Sequence, residues 1–357
     1  MIYIITLLYS IIHFYTIKKY KIQKQNKFII YSVYFSPTWI LWLLICGGQY
    51  YVGTDYESYY NIFKNADTTL FYAKKEYLFA YIVDIWHRWN LNPQGLFYIF
   101  YSIGITFFLL ICTKLNHKYL FLFFFVYFTV SNLFFNQLNG LRQSIAIYII
   151  TYSVLLLFEK HGLIKFIIGI IFASQFHQSS LFAFIFLLFK FYQPSRIILF
   201  LLLTIAVLFS LFGSYNFLFS SLKGMIPSIY LHYLEGEFNI SIGIKGILPK
   251  LVYIPIYIMS FSYLKDINKD KNILLYKVGI FAYSIRMLCI NNIALDRLGY
   301  LFVLLSILPL YLYFQELYKK KEYKLLLLLL LFCLSIFFLK TILFPSKEYL
   351  YKSIYFN

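Results

Sequence analysis

Charge is what this chain lacks. Only 13% of its 357 residues are Asp, Glu, Lys or Arg, about half the share of a soluble domain. A polypeptide so poor in ionised groups does not build an ordinary water-facing globule. Acidic residues are the scarcer sign, 14 against 32 basic ones. The four cysteines, Cys46, Cys112, Cys289 and Cys333, are far apart and form no Cys-x-x-Cys pair. Neither a zinc site nor a disulfide framework is indicated, and buried small hydrophobes are the expected role. Gly-x-x-x-x-Gly-Lys-Ser/Thr, Gly-x-Gly-x-x-Gly and His-Glu-x-x-His are all missing. ATP hydrolysis, dinucleotide chemistry and zinc proteolysis therefore have no support. No internal repeat is visible, so the inverted-repeat signature of many secondary transporters is missing as well.

Apolar runs fill the space that charge leaves: 61% of the chain is hydrophobic. Runs long enough to cross a bilayer recur from one end to the other, without the alternation of a barrel strand. The class this predicts is an all-α polytopic membrane protein. The net charge of +18 sits in short lysine clusters between apolar runs. That is the positive-inside pattern of a multi-pass protein, and no nucleic-acid partner is expected.

Taken in order, Met1–Ile17 reads as a retained first span, because no basic region or small-residue cleavage site accompanies it. Phe28–Gly47, Leu96–Thr113, Tyr119–Phe135 and Gln143–Phe158 follow. Phe166–Phe176 and Leu181–Phe191 read as a hairpin turning at His177. Ile197–Gly213, Ile247–Leu264, Val278–Ile290, Leu298–Phe314 and Leu325–Leu343 complete a set of about twelve transmembrane helices. We expect a single integral-membrane domain over residues 1–357, with two longer external loops at about 48–95 and 214–246. The segment Glu76–Asn90 is amphipathic and too short to cross unaided. Lysines near residues 18–27, 114–118, 160–165, 265–277 and 319–324 mark the inner side. Asp55, Arg142, His177 and the pair Asp296–Arg297 then fall together on the outer side. Ionisable groups gathered at span ends are a functional-site hypothesis by default.

Asn139, Arg142 and Gln143 stand at i, i+3 and i+4, so one face of a helix start would present all three. A guanidinium fork beside amides suits a phosphate; the alternative is an arginine that snorkels to the interface. Arg286 lies inside its span and is expected either to pair with a carboxylate or carbonyls, or to bind phosphate. Arg297 pairs with Asp296 or Asp55, or joins the ligand set. His177 is a candidate for proton transfer. Asp55 either caps the next turn or acts as a base, with Glu57 and Asp296 as rivals. The tyrosines from Tyr50 to Tyr60, Tyr56 among them, suit sugar stacking and equally a membrane-interface belt. These residues require no metal and no cofactor.

Four motifs in order resemble those of EpsG-type proteins. Val52-Gly53-Thr54-Asp55-Tyr56-Glu57-Ser58-Tyr59 is similar to the family's Gly-x-Asp-Tyr-x-x-Tyr element. Asn139-Gly140-Leu141-Arg142-Gln143-Ser144-Ile145-Ala146 is similar to its Asn-x-x-Arg-Gln-x-x-Ala element. Phe176-His177-Gln178-Ser179-Ser180 resembles Phe-His-x-Ser. Asp296-Arg297 with Tyr300 and Phe302 resembles a late Arg-x-x-Tyr-Phe element, with Phe302 displaced by one residue.

The resemblance implies a Wzy-type polysaccharide polymerase of the bacterial inner membrane, making O-antigen, capsule or exopolysaccharide. Its substrate would be an oligosaccharide on undecaprenyl diphosphate. A flippase and a chain-length regulator would be its partners beside the lipid bilayer. On that reading Asp55, His177 and Arg142 are catalytic. Asn139, Gln143, Arg286, Asp296, Arg297 and Tyr56 bind substrate. A lipid-linked oligosaccharide flippase and a membrane O-acyltransferase are the competing readings.

Overall fold

The computed structural model describes residues 2–17, 27–212, 247, 250–262, 271–345 and 350–355. Among them regular structure is entirely helical, and the one β contact is an isolated bridge between Gln49 and Ser353. Among the described residues, three helices are long and apolar enough to cross a bilayer: Gln94–Lys114, Asn272–Cys289 and Tyr323–Leu343. A fourth arises if Ile293–Tyr300 and Val303–Lys319, bent by 68° at their junction, form one broken span. Other apolar helical stretches among the described residues, such as Ile2–Ile17, Leu141–Leu157 and Arg196–Phe212, have 10–17 residues, below the roughly 20 that a straight crossing needs. The helical membrane class thus holds, while the count of about twelve stays an expectation from the apolar runs.

The chain divides into two compact units, Met1–Phe184 with Leu317–Asn357, and Ile185–Glu316. The first contains α1 (Ile2–Ile17), α2 (Lys27–Gly47), α3 (Tyr56–Asn65), α4 (Thr69–Ala73) and α5 (Tyr77–Arg88). It continues with α6 (Gln94–Lys114), α7 (Leu120–Val126), α8 (Leu133–Asn136), α9 (Leu141–Leu157) and α10 (Gly162–Ser174). α9 is apolar all round and buried on nearly every face, as a helix inside a bundle must be. It packs against both α6 and α10.

Two close contacts set the direction of these neighbours. Lys114 at the end of α6 lies 3.2 Å from Glu159 just past α9, so α6 and α9 run parallel. A tight turn then reverses the chain, with His161 in the left-handed region at φ 56°. Gly162 follows with no room for a side chain: an added Cβ would stand 2.2 Å from the Leu156 carbonyl. α10 therefore returns antiparallel to α9, and Gly169 lets it approach Ser153 closely, a small-residue contact typical of packed membrane helices. The end of α10 is thus brought back to the start of α9.

The structure corrects the sequence reading at several places. Residues 48–95 are not an open loop but a helical cap of α3, α4 and α5. Tyr56, Tyr59 and Phe63 form a buried stripe along α3, the i, i+3, i+7 spacing of an amphipathic helix. Phe63, Phe71, Phe79, Phe97 and Phe100 then interlock at ring separations of 4.8–6.2 Å. The expected span Tyr119–Phe135 is broken. A π-turn at Tyr127–Ser131 and a left-handed Asn132 separate α7 from α8. Ser131 donates to the Tyr127 carbonyl at 2.6 Å and accepts from Leu133 N at 3.0 Å, so its hydroxyl takes over backbone partners where the ladder fails. Beneath the cap, Gln49 donates to Tyr101, and Tyr101 donates to the Gln137 carbonyl. Tyr148 donates to the Gln137 side chain and pairs with Tyr127. This network satisfies polar groups that no lipid could.

The second unit contains Arg196–Phe212, Ile254–Ser260, Lys271–Cys289, Ile293–Tyr300 and Val303–Ser306. Lys277, expected in a cytoplasmic loop, lies inside the helix Lys271–Cys289. Asp296 and Arg297, expected in a turn, lie in the helix Ile293–Tyr300. The expected external loop at 214–246 and the cytoplasmic lysines at 265–270 lie outside the described residues.

The parallel course of α6 and α9 makes a topological prediction. Ser58 in the cap and Lys160 beyond α9 are both exposed at opposite ends of the first unit. Ser58→Cys should react with an impermeant thiol reagent added outside cells, and Lys160→Cys only after permeabilisation. Labelling of both from one side would refute the arrangement.

Candidate functional site

The polar centre of the first unit forms at the start of α9. Arg142 is its second residue, with Gly140 preceding the helix. The guanidinium Nη1 donates to Oε2 of Glu76, and Nε donates to the Tyr59 hydroxyl at 3.3 Å. Its carbon lies 4.6 Å from the ring centre of Phe71 and 5.4 Å from that of Phe79, cation–π distances that offset lost hydration. A cation held this deep needs an anion beside it, and Glu76 is that anion.

Glu76 is placed by the way α4 ends. Lys75 takes the left-handed conformation at φ 60°. Its N–H bonds the Tyr72 carbonyl, and the N–H of Glu76 bonds that of Phe71, each at 2.9 Å. This double closure is a Schellman turn built without glycine. The chain then reverses into α5 with Glu76 inside, 2% exposed. Oε1 of Glu76 accepts from the Gln178 N–H at 3.1 Å. His177 places Nδ1 3.6 Å from the same oxygen. Phe79 N, in the first turn of α5, donates to the Gln175 carbonyl at 3.3 Å. One carboxylate therefore ties the α4–α5 turn to the start of α9 and to the segment after α10.

Electrostatics follow from this geometry. Burial works to raise the Glu76 carboxyl. His177, Arg142 and the Gln178 N–H outweigh it and hold the acid below its ordinary value. Burial lowers His177, the nearby Glu76 works against that, and Arg142 and Lys74 reinforce it, so the ring is held neutral.

A second cluster abuts the first. Oδ1 of Asn139 accepts from Thr54 N at 2.7 Å, Asp55 N at 2.8 Å and Thr54 Oγ1 at 3.2 Å. Gly53, at φ +73°, lies so close that an added Cβ would stand 2.5 Å from that oxygen. Asn139 is thus a clamp on the Gly53–Asp55 loop. It sits in the turn before α9, so the expected face of three residues reduces to Arg142 and Gln143 in the first helical turn. Asp55 is half-buried and precedes α3 without capping it through its side chain. Thr54 Oγ1 donates to it at 3.1 Å. Tyr56, expected as a sugar platform, is buried with its ring stacked on Phe97, and its hydroxyl donates to Gln94. Glu57 is exposed.

In the second unit, Lys250 pairs with Asp296 at 2.6 Å. Arg286 donates to Ser306 Oγ at 3.1 Å and lies over the Tyr300 ring. Of the alternatives open for Arg286, the structure therefore supplies a hydroxyl and a ring. Arg297 is exposed. Among the described residues, no three His, Cys, Asp or Glu side chains group as metal ligands.

Sequence reasoning missed Glu76. It entered only as the first residue of an amphipathic stretch, although a buried arginine at a span edge calls for an acid somewhere. The signal was its position: a single carboxylate after two lysines, opening a helix whose other face is aromatic.

An all-helical membrane protein with cations and a buried carboxylate at one end of its first unit is the class that fold and site define. The chain belongs to the EpsG family, whose profile matches residues 38–353. EpsG is a Wzy-like polymerase family, so a role in polysaccharide synthesis at a membrane follows at that level. No curated protein and no solved structure matches the chain.

Breaking the Arg142–Glu76 pair from either side should lower stability by roughly 3–5 kcal/mol, since each partner would strand the other. The double variant Glu76→Gln/Arg142→Gln should lose less than the sum of the singles. Melting of the detergent-solubilised protein measures this, and additive losses would argue against a direct pair. Acid acts in the same direction through both titrating groups. The stability Glu76 lends is full above its ordinary 4.5 and is lost as pH falls through its lowered value. His177 resists the proton that the unfolded ring takes below 6.5. The melting temperature should therefore hold near neutrality and fall progressively below about pH 6.5.

Proposed function

We propose that this protein is a Wzy-type polysaccharide polymerase. It transfers a growing glycan from undecaprenyl diphosphate to the next lipid-linked repeat unit at the outer face of the bacterial inner membrane. The observation that carries the reading is the meeting of Arg142, Glu76 and His177 at one end of α9, within a chain of a Wzy-like family.

The chemistry suits these groups. The bond from the sugar's anomeric carbon to the diphosphate oxygen breaks, and the electron pair leaves with the diphosphate. The acceptor hydroxyl forms the new bond and gives up its proton. Arg142 attracts the departing anion through a fixed guanidinium, which acts strongly where water is scarce. His177, held neutral, takes the proton. Asp55, fixed by the Asn139 clamp, is the second candidate for assisting the hydroxyl, and Gln143 flanks the diphosphate. Within the second unit, Arg286 and Arg297 are the candidates for phosphate on sequence grounds, with Asp296 held by Lys250. A flippase supplying the substrate and a chain-length regulator are the partners this activity requires.

The test is the surface glycan. Arg142→Lys and His177→Gln should each replace the long-chain ladder with single-unit product while protein level is maintained. A normal ladder from a well-expressed Arg142→Ala variant would refute the reading. Loss of all glycan, single units included, would instead favour a flippase.

A further inference from the structure

The polymerase reading leaves Glu76 without a chemical role, and the geometry gives it one. The residue is 2% exposed, with Oε2 on Arg142 and Oε1 on the Gln178 N–H. It cannot reach a sugar hydroxyl itself. His177 is different. Its side chain is 24% exposed, yet Nδ1 is buried and lacks a hydrogen bond. That atom faces Glu76 Oε1 at 3.6 Å, about half an ångström beyond hydrogen-bond range. Nε2 is neither buried nor hydrogen-bonded to any described residue. The ring thus turns one nitrogen to a carboxylate and the other to the open side.

A lone pair on Nδ1 would be repelled by that oxygen, whereas an N–H is attracted to it. The proton therefore resides on Nδ1, and Nε2 carries the lone pair. We infer that Glu76 is a positioning residue that fixes the orientation and tautomer of His177, so that Nε2 receives the proton of the acceptor hydroxyl. This rests on the assignment of His177 as the base in the polymerase reading. In the step, the acceptor O–H proton passes to Nε2 as the new glycosidic bond forms. The diphosphate leaves with the electrons of the old bond. The imidazolium is stabilised by Glu76 until it releases its proton to water. The charged groups around the ring are Glu76 and Lys74 from the α4–α5 turn and Arg142 from α9. Glu76 is the one anion among them.

The experiment uses the full chain purified into lipid, with lipid-linked repeat units as substrate, and reads kcat and KM across pH. Glu76→Gln should lower kcat on the order of a hundredfold with KM little changed. It should also move the acid limb of the kcat profile to lower pH, because the anion that favours the imidazolium is gone. Adding Glu76→Gln to His177→Gln should cost no further activity. If Glu76→Gln does not fold, Glu76→Asp keeps an anion beside Arg142, and the same lack of additivity is expected. An unmoved acid limb, or a Glu76 substitution as damaging without His177 as with it, would overturn the role of Glu76 alone. Wild-type kcat from His177→Gln would overturn the base assignment as well.

Discussion

The first unit is organised by one buried ion pair. A carboxylate at the mouth of α5 is withdrawn from water and a guanidinium at the start of α9 largely so, and neither is tolerable there without the other. Tyr59, Phe71 and Phe79 also line Arg142, and the Gln178 amide and His177 lie on the other oxygen of Glu76. The helical cap, α9 and the segment after α10 meet because these charges must be matched. Aromatic packing beneath the cap then fixes the depth at which they meet.

That arrangement joins stability to chemistry. The group that neutralises Arg142 also faces the ring that we assign as base. An enzyme that moves a glycan off a diphosphate needs positive charge for the leaving group and a proton acceptor for the hydroxyl. On the proposed reading, the two are set around one acid. The Asn139 clamp serves a parallel purpose for Asp55. Gly53 and an amide oxygen fix a loop that would otherwise be free to carry its carboxylate elsewhere.

Much of this was legible in the chain. Low charge and recurrent apolar runs dictated helices, and the limits of α6 and α9 lie within a few residues of those expected. Lysine patterning assigned Arg142 and His177 to the same end, and the α9–α10 hairpin brings them there. Other features were hidden for physical reasons. Glu76 lies 66 positions from Arg142, and a pairing over that distance leaves no local period. Residues 48–95 looked polar because their tyrosines count as loop or interface residues until an aromatic stripe is recognised. The break at Tyr127–Ser131 contains neither glycine nor proline; serine side-chain bonding, invisible in an apolar run, accompanies it. Span number stayed open because many helices here are shorter than a straight crossing.

The parallel course of α6 and α9 has an electrostatic consequence of its own. Helix macrodipoles that lie side by side in the same direction add. Their amide-rich ends, at Gln94 and Leu141, share the end of the unit that holds the ion pair. The carbonyl-rich ends of α2 and α10, at Gly47 and Ser174, come to the same place, so the backbone poles there largely oppose one another. A net pull on an anion at that end must therefore come from side chains, and the direction of the helices cannot replace a lost arginine.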